Sequence, residues 1–343
     1  MSRRKINHMT AFEVGDDYET QGVMAHDTVC SALHKPSGAK VMVRKLTSFD
    51  HPQTWQRALR EVRLLRHFKH ENMISILDIR SSNSCKEIQD VYLIQGLMET
   101  NLGDMMTARR LSDYDCQYLV YQTLLALQAL HSADILHRNL QPSNLLVNEK
   151  LDLKVRGFGV ACSAANMKTH QGSVTGSVGK KWYRAPEMML TPNKYTKAVD
   201  LWSVGCITAE ILRARPLLPG ETYFGQLDLI FDLLGTPTGE DNDAIGSNPA
   251  SAYILALPRK AKPKWKNILP EASDYALDLI GQLLVFNPGK RLIVRETLRH
   301  RYFKQYFDLQ GEPAANAVPE DFLEFEKIAD ELSIEETKSE VSH

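Results

Sequence analysis

The chain has 343 residues, of which 43% are hydrophobic and 24% are charged, and these values are ordinary for a globular protein. At about 100–200 residues per domain, this length predicts two domains or one domain built of two lobes. The formal net charge of -1 excludes a strong overall field that would recruit nucleic acid or an anionic membrane.

The cysteines and the N-terminal residues indicate in which cellular compartment the protein is expected. The five cysteines are odd in number and show no CxxC spacing, which argues against a disulfide framework or a zinc site and fits a reducing compartment. The N-terminal sequence MSRRKINHMT has no apolar run behind its basic residues, so it does not resemble a secretory signal. The most apolar helical stretch, residues 118–130, is too short and too polar to span a bilayer. We therefore expect an intracellular, soluble protein that binds neither membrane nor nucleic acid.

The first part of the chain, residues 12–98, has a pattern typical of strands. Short β-branched or apolar runs alternate with turn residues, as in 41–46 and 90–98. One helix is predicted within this part, over residues 55–68. Its apolar side chains recur at helical spacing, at Leu59, Val62, Leu65 and Phe68.

After residue 100 the apolar periodicity becomes mainly helical, most clearly over 118–130 and 199–212. Residues 235–270 are rich in Gly, Pro and Asn, and they predict loops. The tail after Pro319 is acidic and carries apolar residues at helical spacing, which predicts a docked helix. The whole pattern predicts an α+β fold, with a small β-rich lobe followed by a large helical lobe.

Several sequence strings then occur in a fixed order. They read LREVRLLRHFKHEN (59–72), ILHRNLQPSNLLVN (135–148), GFG (157–159), WYRAPEMML (182–190), DLWSVGC (200–206) and NPGKR (287–291). Together they resemble a eukaryotic protein kinase over residues 12–308. The resemblance implies a bilobal kinase fold, with an N-lobe at 12–98 and a C-lobe at 99–308.

The wording of these strings is most similar to that of the mitogen-activated protein (MAP) kinases. This resemblance implies that residues 235–270 are a MAP-kinase-type insert and that 309–343 form an acidic C-terminal tail. The pair Thr175-Gly176 is similar to the Thr-Gly-Tyr activation motif of the stress-activated group, although Ser177 stands in place of the tyrosine.

The resemblance implies a nucleotide site, but its phosphate-binding parts differ from those of the family. Of the family's glycine-rich loop, the stretch QGVMAHDTVC (21–30) keeps only Gly22, which indicates either a disabled phosphate cradle or an ordinary hairpin that still admits nucleotide. Arg44 stands at the position of the phosphate-pairing lysine and Glu61 at that of its partner. Arginine and lysine are not equivalent at such a site, so we expect this pair to brace helix to sheet. The other implied nucleotide contacts are Val29, Met42, Gln95, Met98 and Leu146.

Lys45 follows Arg44 directly in the same predicted strand. Since side chains alternate along a strand, Lys45 should point to the opposite face. We therefore do not expect it to replace Arg44.

The positions implied for chemistry differ as well. Asn139 stands where the family has its catalytic aspartate, and an amide cannot accept the proton of a substrate hydroxyl. Gly157 stands where the family has a metal-binding aspartate, and it offers no ligand. Asn144 matches the second metal ligand, but one amide oxygen makes a poor magnesium site. Gln141 replaces the lysine that the family directs at the transferred phosphate. ATP binding is accordingly doubtful, and no Mg²⁺ is expected.

These substitutions favour a catalytically inactive pseudokinase that acts as a scaffold, decoy or regulator in a stress-activated MAP kinase cascade. The alternative is a weakly active or unconventional ATP-dependent serine/threonine protein kinase of the same family. A folded relic without partners is a third hypothesis.

Regulation and docking are also implied by the resemblance. Thr175, Ser177 and Arg184 match activation-loop positions, and Asp308, Glu312 and Glu149 match an acidic docking patch. The expected partners are an upstream MAP kinase kinase or other cascade proteins bound through the docking groove. We expect a monomer located in the cytoplasm and nucleus.

Overall fold

The computed structural model describes residues 12–25, 28–46, 52–81, 90–164, 181–191, 196–241, 252–254 and 256–307. Their contacts divide the chain into two compact units, the first ending at Glu99 and the second beginning at Thr100. They are called the small unit and the large unit below. The predicted regulatory and docking residues Thr175, Ser177, Asp308 and Glu312 lie outside the described residues, as does the tail predicted to be helical.

The small unit is built on a five-stranded antiparallel sheet with the strand order β1-β2-β3-β5-β4. Its elements are β1 (Tyr18–Ala25), β2 (Val29–His34), β3 (Ala39–Leu46), α1 (Pro52–His67), β4 (Ile76–Ser81) and β5 (Val91–Gly96). The strands predicted over 41–46 and 90–98 and the single helix are confirmed. The helix begins earlier than the apolar spacing predicts, at Pro52, since proline is well tolerated at the first helical position.

The two faces of this sheet have different roles. One face packs a buried apolar cluster formed by Phe12, Val14, Tyr18, Cys30, Ala32, Val41, Val43, Tyr92 and Ile94. Side chains alternate along strands, so the residues between these positions, including Met42, Arg44 and Gln95, lie on the other face. The apolar stripe of α1 is buried, with Leu59 fully enclosed. Three of the candidate nucleotide residues, Met42, Arg44 and Gln95, therefore share one face of the sheet.

The large unit is mainly helical. Its helices are α2 (Leu102–Ala108), α3 (Asp113–Ser132), α4 (Pro186–Leu190), α5 (Ala198–Arg213), α6 (Tyr223–Leu234), α7 (Trp265–Ile268), α8 (Asp274–Leu283), α9 (Val294–Leu298) and α10 (Lys304–Phe307). Helix α3 begins with a capping box, in which Ser112 and Asp115 satisfy each other's backbone N–H groups. The two longest helices, α3 and α5, are the ones that the apolar periodicity predicts.

Short strands complete the large unit. They are β6 (Thr100–Asn101), β7 (Ile135–Leu136), β8 (Leu145–Val147), β9 (Leu153–Val155) and β10 (Cys162–Ser163). β6, β8 and β9 form one small sheet, and β7 pairs with β10. Both sheets flank the segments that carry the predicted catalytic residues.

The fold class predicted from the sequence is confirmed, since a β-sheet unit precedes a helical unit. Within the part of the chain that the structure describes, no helix is both long and apolar enough to cross a bilayer.

Candidate active site

In the small unit, Arg44 and Glu61 form the pair that the sequence predicts. Two parallel hydrogen bonds join the guanidinium and the carboxylate, with Nη1–Oε1 at 3.0 Å and Nη2–Oε2 at 2.8 Å. Burial works against the charge of the guanidinium, but the charge of Glu61 and its hydrogen bonds prevail and raise the pKa of Arg44. The pair therefore braces α1 to β3 through a bidentate fork, a geometry that an arginine provides and a lysine does not.

Lys45 points away from this pair, as predicted. Its ammonium lies 2.7 Å from Oδ2 of Asp90 and 5.9 Å from the centre of the Tyr92 ring. Tyr92 belongs to the apolar cluster on the opposite face of the sheet. Lys45 is thus committed to a different face from Arg44.

The predicted base-contacting residues of the small unit are mostly buried. Met42 lies directly opposite Gln95 in the β3–β5 pairing, and the two are 3% and 1% exposed. Val29 and Met98 are buried as well. The Nε2 atom of Gln95 is enclosed without a hydrogen-bond partner among the described residues.

Gly22 lies in β1, where register shifts interrupt the pairing with β2 on both sides of it. A Cβ added to Gly22 would meet nothing within 4 Å, and its backbone needs no positive φ. Neither observation makes a glycine necessary here, so the alternatives of cradle and ordinary hairpin both stay open.

In the large unit, a buried aspartate on α5 holds the segment that carries Asn139. Asp200 accepts hydrogen bonds from the backbone N–H groups of His137, at 2.9 Å, and Arg138, at 2.8 Å. Its Oδ2 also lies 2.8 Å from Nε2 of His131. Burial raises the pKa of Asp200, but the His131 contact and these backbone bonds outweigh it and lower the pKa below its ordinary value. The arrangement fixes the loop backbone, including the left-handed φ of 65° at Arg138.

His137 adds a second restraint. Its Nε2–H donates to the carbonyl oxygen of Arg156 at 3.0 Å, and its Nδ1 accepts from the backbone N–H of Asn139 at 3.2 Å. These partners define a neutral ring protonated on Nε2. Its ring also meets that of Phe158 edge to face, with the centres 5.1 Å apart.

The side chains of Asn139, Gln141 and Asn144 form an amide cluster. Nε2 of Gln141 donates to Oδ1 of Asn139 at 3.3 Å, and Nδ2 of Asn144 donates to the carbonyl oxygen of Asn139 at 2.8 Å. All three groups are uncharged, so the cluster holds its shape through hydrogen bonds between amides. It can orient a hydroxyl group, but none of its members can take up a proton at neutral pH.

Gly157 lies against this cluster in a left-handed conformation, with φ 89° and ψ 41°. A Cβ at this position would come within 2.9 Å of the Asn144 side chain. The space of a larger side chain is therefore occupied by Asn144.

This donor set does not fit Mg²⁺. The cluster contains no carboxylate, and magnesium is usually bound through one or two carboxylates together with substrate phosphates. Among the described residues, no group of three or more His, Cys, Asp and Glu side chains could hold a metal ion.

The remaining predicted residues are Leu146, Arg184 and Glu149, all in the large unit. Leu146 is buried in β8 of the large unit. Arg184 is half-buried, and its positive charge acts on the Tyr223 hydroxyl, whose pKa burial raises. Glu149 is exposed in the turn between β8 and β9, beside Lys150.

Sequence reasoning missed the role of His131. The histidine lies in the last turn of α3, after a mainly apolar stretch, and it is 5% exposed. A polar residue in the buried last turn of such a helix was the available signal, because buried polar groups are nearly always hydrogen-bonded.

The sequence of this chain is similar to those of known proteins. Residues 21–303 match the family described as the protein kinase domain, which is the class that the sheet, the helical unit and the anchored loop define. Over 338 residues, covering 98% of this chain and 94% of the relative, the chain is 52% identical to mitogen-activated protein kinase PMK1 of Pyricularia oryzae. It is 52% identical to mitogen-activated protein kinase mpkB of Aspergillus fumigatus over 98% of this chain and 95% of that relative. The chain is 47% identical to mitogen-activated protein kinase spk1 of Schizosaccharomyces pombe, over 97% of this chain and 90% of that relative. The chain therefore belongs to the mitogen-activated protein kinase family.

These relatives contradict the prediction of a catalytically inactive scaffold, decoy or regulator. Proteins about half identical over nearly the full chain are named MAP kinases, so a working kinase is favoured. The prediction gave too much weight to single positions such as Arg44, Asn139 and Gly157, and too little to the extent of the shared sequence.

Proposed function

We propose that the chain is an ATP-dependent serine/threonine protein kinase of the MAP kinase family, with a slow phosphoryl-transfer step. The observation that carries this proposal is the 52% identity to named MAP kinases over 98% of the chain. The stress-activated subgroup rests on Thr175-Gly176 alone and stays a prediction.

The anchored loop supports this proposal. Phosphoryl transfer relies on positioning and electrostatic stabilisation more than on covalent chemistry by the protein. The Asp200 contacts hold the backbone of Arg138 and Asn139, and the Arg44–Glu61 fork holds α1 to the sheet. The chain thus retains the rigid supports on which positioning depends.

The step expected to be slow is removal of the proton from the substrate hydroxyl. In the transfer, the bond between the γ-phosphorus and the ADP oxygen breaks, and a bond from that phosphorus to the serine or threonine oxygen forms. Asn139 can accept a hydrogen bond from the hydroxyl, but the proton must leave to a phosphate oxygen or to water. A general base typically contributes about 10²–10⁴-fold. Kinases usually turn over at about 1–100 per second, so we expect roughly 10⁻⁴ to 1 per second here.

ATP is the proposed phosphoryl donor, and we infer that no Mg²⁺ is held by the amide cluster. The uncharged amides of Asn139, Gln141 and Asn144 support this, as does the occupied space beside Gly157. The chain's own contribution is orientation of the hydroxyl by the amides.

Regulation, partners and location follow from the same family membership as further proposals. An upstream MAP kinase kinase would act on Thr175 or Ser177, and the added charge would be a partner for the guanidinium of Arg184. Asp308, Glu312 and Glu149 would offer an acidic surface to basic peptides of cascade proteins. We place the protein in the cytoplasm and nucleus.

The test is transfer of labelled phosphate from ATP to a serine- and threonine-containing protein substrate by the purified full chain. Transfer should be slow and should fall at least about tenfold in Arg44→Met, which removes the fork to Glu61. Lys154→Met, a change at a half-buried position in β9, is the matched control and should retain the wild-type rate. Equal rates for the wild type and Arg44→Met would show that the phosphate comes from a contaminant, and the proposal would be wrong.

A further inference from the structure

Arg156 brings a positive charge to the edge of the amide cluster formed by Asn139, Gln141 and Asn144. Its Nε and Nη2 atoms donate to the carbonyl oxygen of Ser143, at 3.3 and 3.1 Å. Ser143 directly precedes Asn144 in the chain. Because a guanidinium stays protonated in proteins, a fixed cation lies one residue away from side chains that are all uncharged.

The backbone of Arg156 is held by two further bonds. Its N–H donates to the carbonyl oxygen of Asn144 at 2.9 Å, and its carbonyl oxygen accepts from Nε2 of His137 at 3.0 Å. Both bonds use main-chain atoms of Arg156, so another residue at this position would keep them. The local backbone therefore does not require an arginine side chain here.

The guanidinium lies where a solute can reach it. Ser143 is exposed and Arg156 is half-buried, whereas Asn144 is buried. The following residue, Gly157, has no side chain, and Asn144 fills the space that a Cβ there would need. This edge of the cluster thus presents a cation to solvent beside amides that offer no carboxylate.

We propose that Arg156 binds the phosphate groups of ATP and supplies the positive charge that the amide cluster does not obtain from Mg²⁺. The proposal rests on the proposed function, because it takes ATP as the ligand. A guanidinium can donate two parallel hydrogen bonds to two oxygens of one phosphate group. Arginine and divalent cations both stabilise charge on phosphate oxygens in phosphoryl transfer. Arg156 is therefore assigned as a binding residue that lets the chain hold ATP without a divalent cation.

A second arginine, Arg44, stands at the position of the phosphate-pairing lysine, but its charge is already engaged. Both of its Nη atoms donate to the carboxylate of Glu61. Arg156 donates instead to a carbonyl oxygen, which carries no net charge. Of these two arginines, Arg156 is the one for which the structure shows no carboxylate in a bidentate fork.

The test is calorimetric titration of the full chain with ATP in excess EDTA, which removes divalent cations. Arg156→Gln should weaken ATP binding by about 10- to 150-fold, the range expected for a lost hydrogen bond to a charged group. Adenosine, which has the base and the sugar but no phosphate, should bind the wild type and the variant equally. Equal affinities of both proteins for ATP, or an equal loss of ATP and adenosine binding, would overturn the proposal.

The matched control is Arg259→Gln. The guanidinium of Arg259 also donates to a backbone carbonyl oxygen, that of Pro237 at 3.3 Å. The change removes the same charge and the same kind of hydrogen bond outside the amide cluster, so ATP affinity should stay at the wild-type value. A loss equal to that of Arg156→Gln would show that only the overall charge matters, and the assignment would be wrong.

A measurement on the wild type keeps the test decisive if Arg156→Gln does not fold. In EDTA, ATP should bind at least about tenfold more tightly than adenosine, because only ATP carries phosphates. Added salt should narrow this difference, since salt screens attraction between exposed charges. Equal affinities for ATP and adenosine, or a difference that salt leaves unchanged, would overturn the proposal.

Binding and transfer fail separately. ATP binding that depends on Arg156, without any phosphate transfer, would sustain this inference and refute the proposed kinase activity. Phosphate transfer by the wild type, together with an ATP affinity in EDTA that Arg156→Gln leaves unchanged, would do the opposite.

Discussion

The loop that carries Asn139 is anchored by one kind of chemistry and presents another kind on its face. The anchor consists of Asp200 with His131, together with the nearby ion pair of Glu187 and Arg291, whose atoms lie 2.7 and 2.9 Å apart. The loop face consists of the amides of Asn139, Gln141 and Asn144. The anchor thus carries buried, paired charges, whereas the three side chains of the loop face are uncharged.

This difference indicates that one set of residues in the loop fixes its backbone, while another set determines how fast it could catalyse a reaction. The buried charges fix the backbone because each has several partners, and their removal would leave uncompensated groups. The amides on the loop face have no such role in stability. Changes at the two regions should therefore affect different measurements, and the following experiments test that separation.

The largest effect is expected from restoring a base. Asn139→Asp should raise the rate of phosphate transfer by about 10²–10⁴-fold, because a carboxylate can take up the hydroxyl proton. The thermal midpoint should hardly change, since an aspartate oxygen still accepts from Gln141. The measurement is the transfer rate at saturating ATP. A rate within threefold of the wild type would mean that the loop face needs more than a base.

The second-largest effect is expected from removing the charge of Asp200 in the anchor. Asp200→Asn should lower the free energy of unfolding at pH 7 by about 3–5 kcal/mol, because it breaks a buried, hydrogen-bonded charge. The folded-state pKa of Asp200 is lowered, so its stabilisation is complete above the unfolded value of about 3.9 and is lost as the pH falls through the folded pKa. Urea unfolding at pH 7 and below pH 4 should show the difference between wild type and variant shrinking in acid. A difference that stays constant with pH would contradict this account.

A smaller effect is expected at Gly157. Gly157→Ala should cost about 1–2 kcal/mol, because its φ of 89° is left-handed and the new Cβ would press on Asn144. Gly239→Ala is the matched control, since a Cβ there meets nothing within 4 Å and the backbone φ is not positive. Thermal unfolding of both variants tests this. Equal midpoints would show that Asn144 and the backbone relax without cost.

The smallest effect is expected at an exposed ion pair. Lys290 lies 3.1 Å from Glu240, but both side chains are more than half exposed. Water and salt screen such pairs, so Lys290→Ala should leave the thermal midpoint unchanged. A clear loss of stability, equal to that of an anchor variant, would remove the distinction between buried and exposed charge.

The fold could be predicted from the sequence because its elements have strong periodic patterns. The strand around Arg44 and the helices α3 and α5 appear where alternation and helical spacing place them. The Arg44–Glu61 pair and the orientation of Lys45 were also predictable, since both follow from strand alternation and from the family motif.

The rest could not be predicted because it depends on contacts between distant residues. His131 meets Asp200 across 69 positions of sequence, and nothing local in either segment reports this. The unpaired amide of Gln95 depends on what its neighbours in β3 and β4 fail to offer. The activity was misjudged for another reason, since single side chains do not measure how much of a family's sequence a chain retains.

The orientation of Arg44 and Lys45 determines which reagents can detect nucleotide on this protein. Acyl-phosphate derivatives of ATP label a protein by transferring their acyl group to an amine beside the bound phosphates. The Arg44 guanidinium stays protonated and is not acylated, and the Lys45 amine is held by Asp90 on the far face of the sheet. A lysine-directed label of this kind would therefore find no amine at the position of Arg44, so binding of nucleotide there has to be followed by methods that need no lysine.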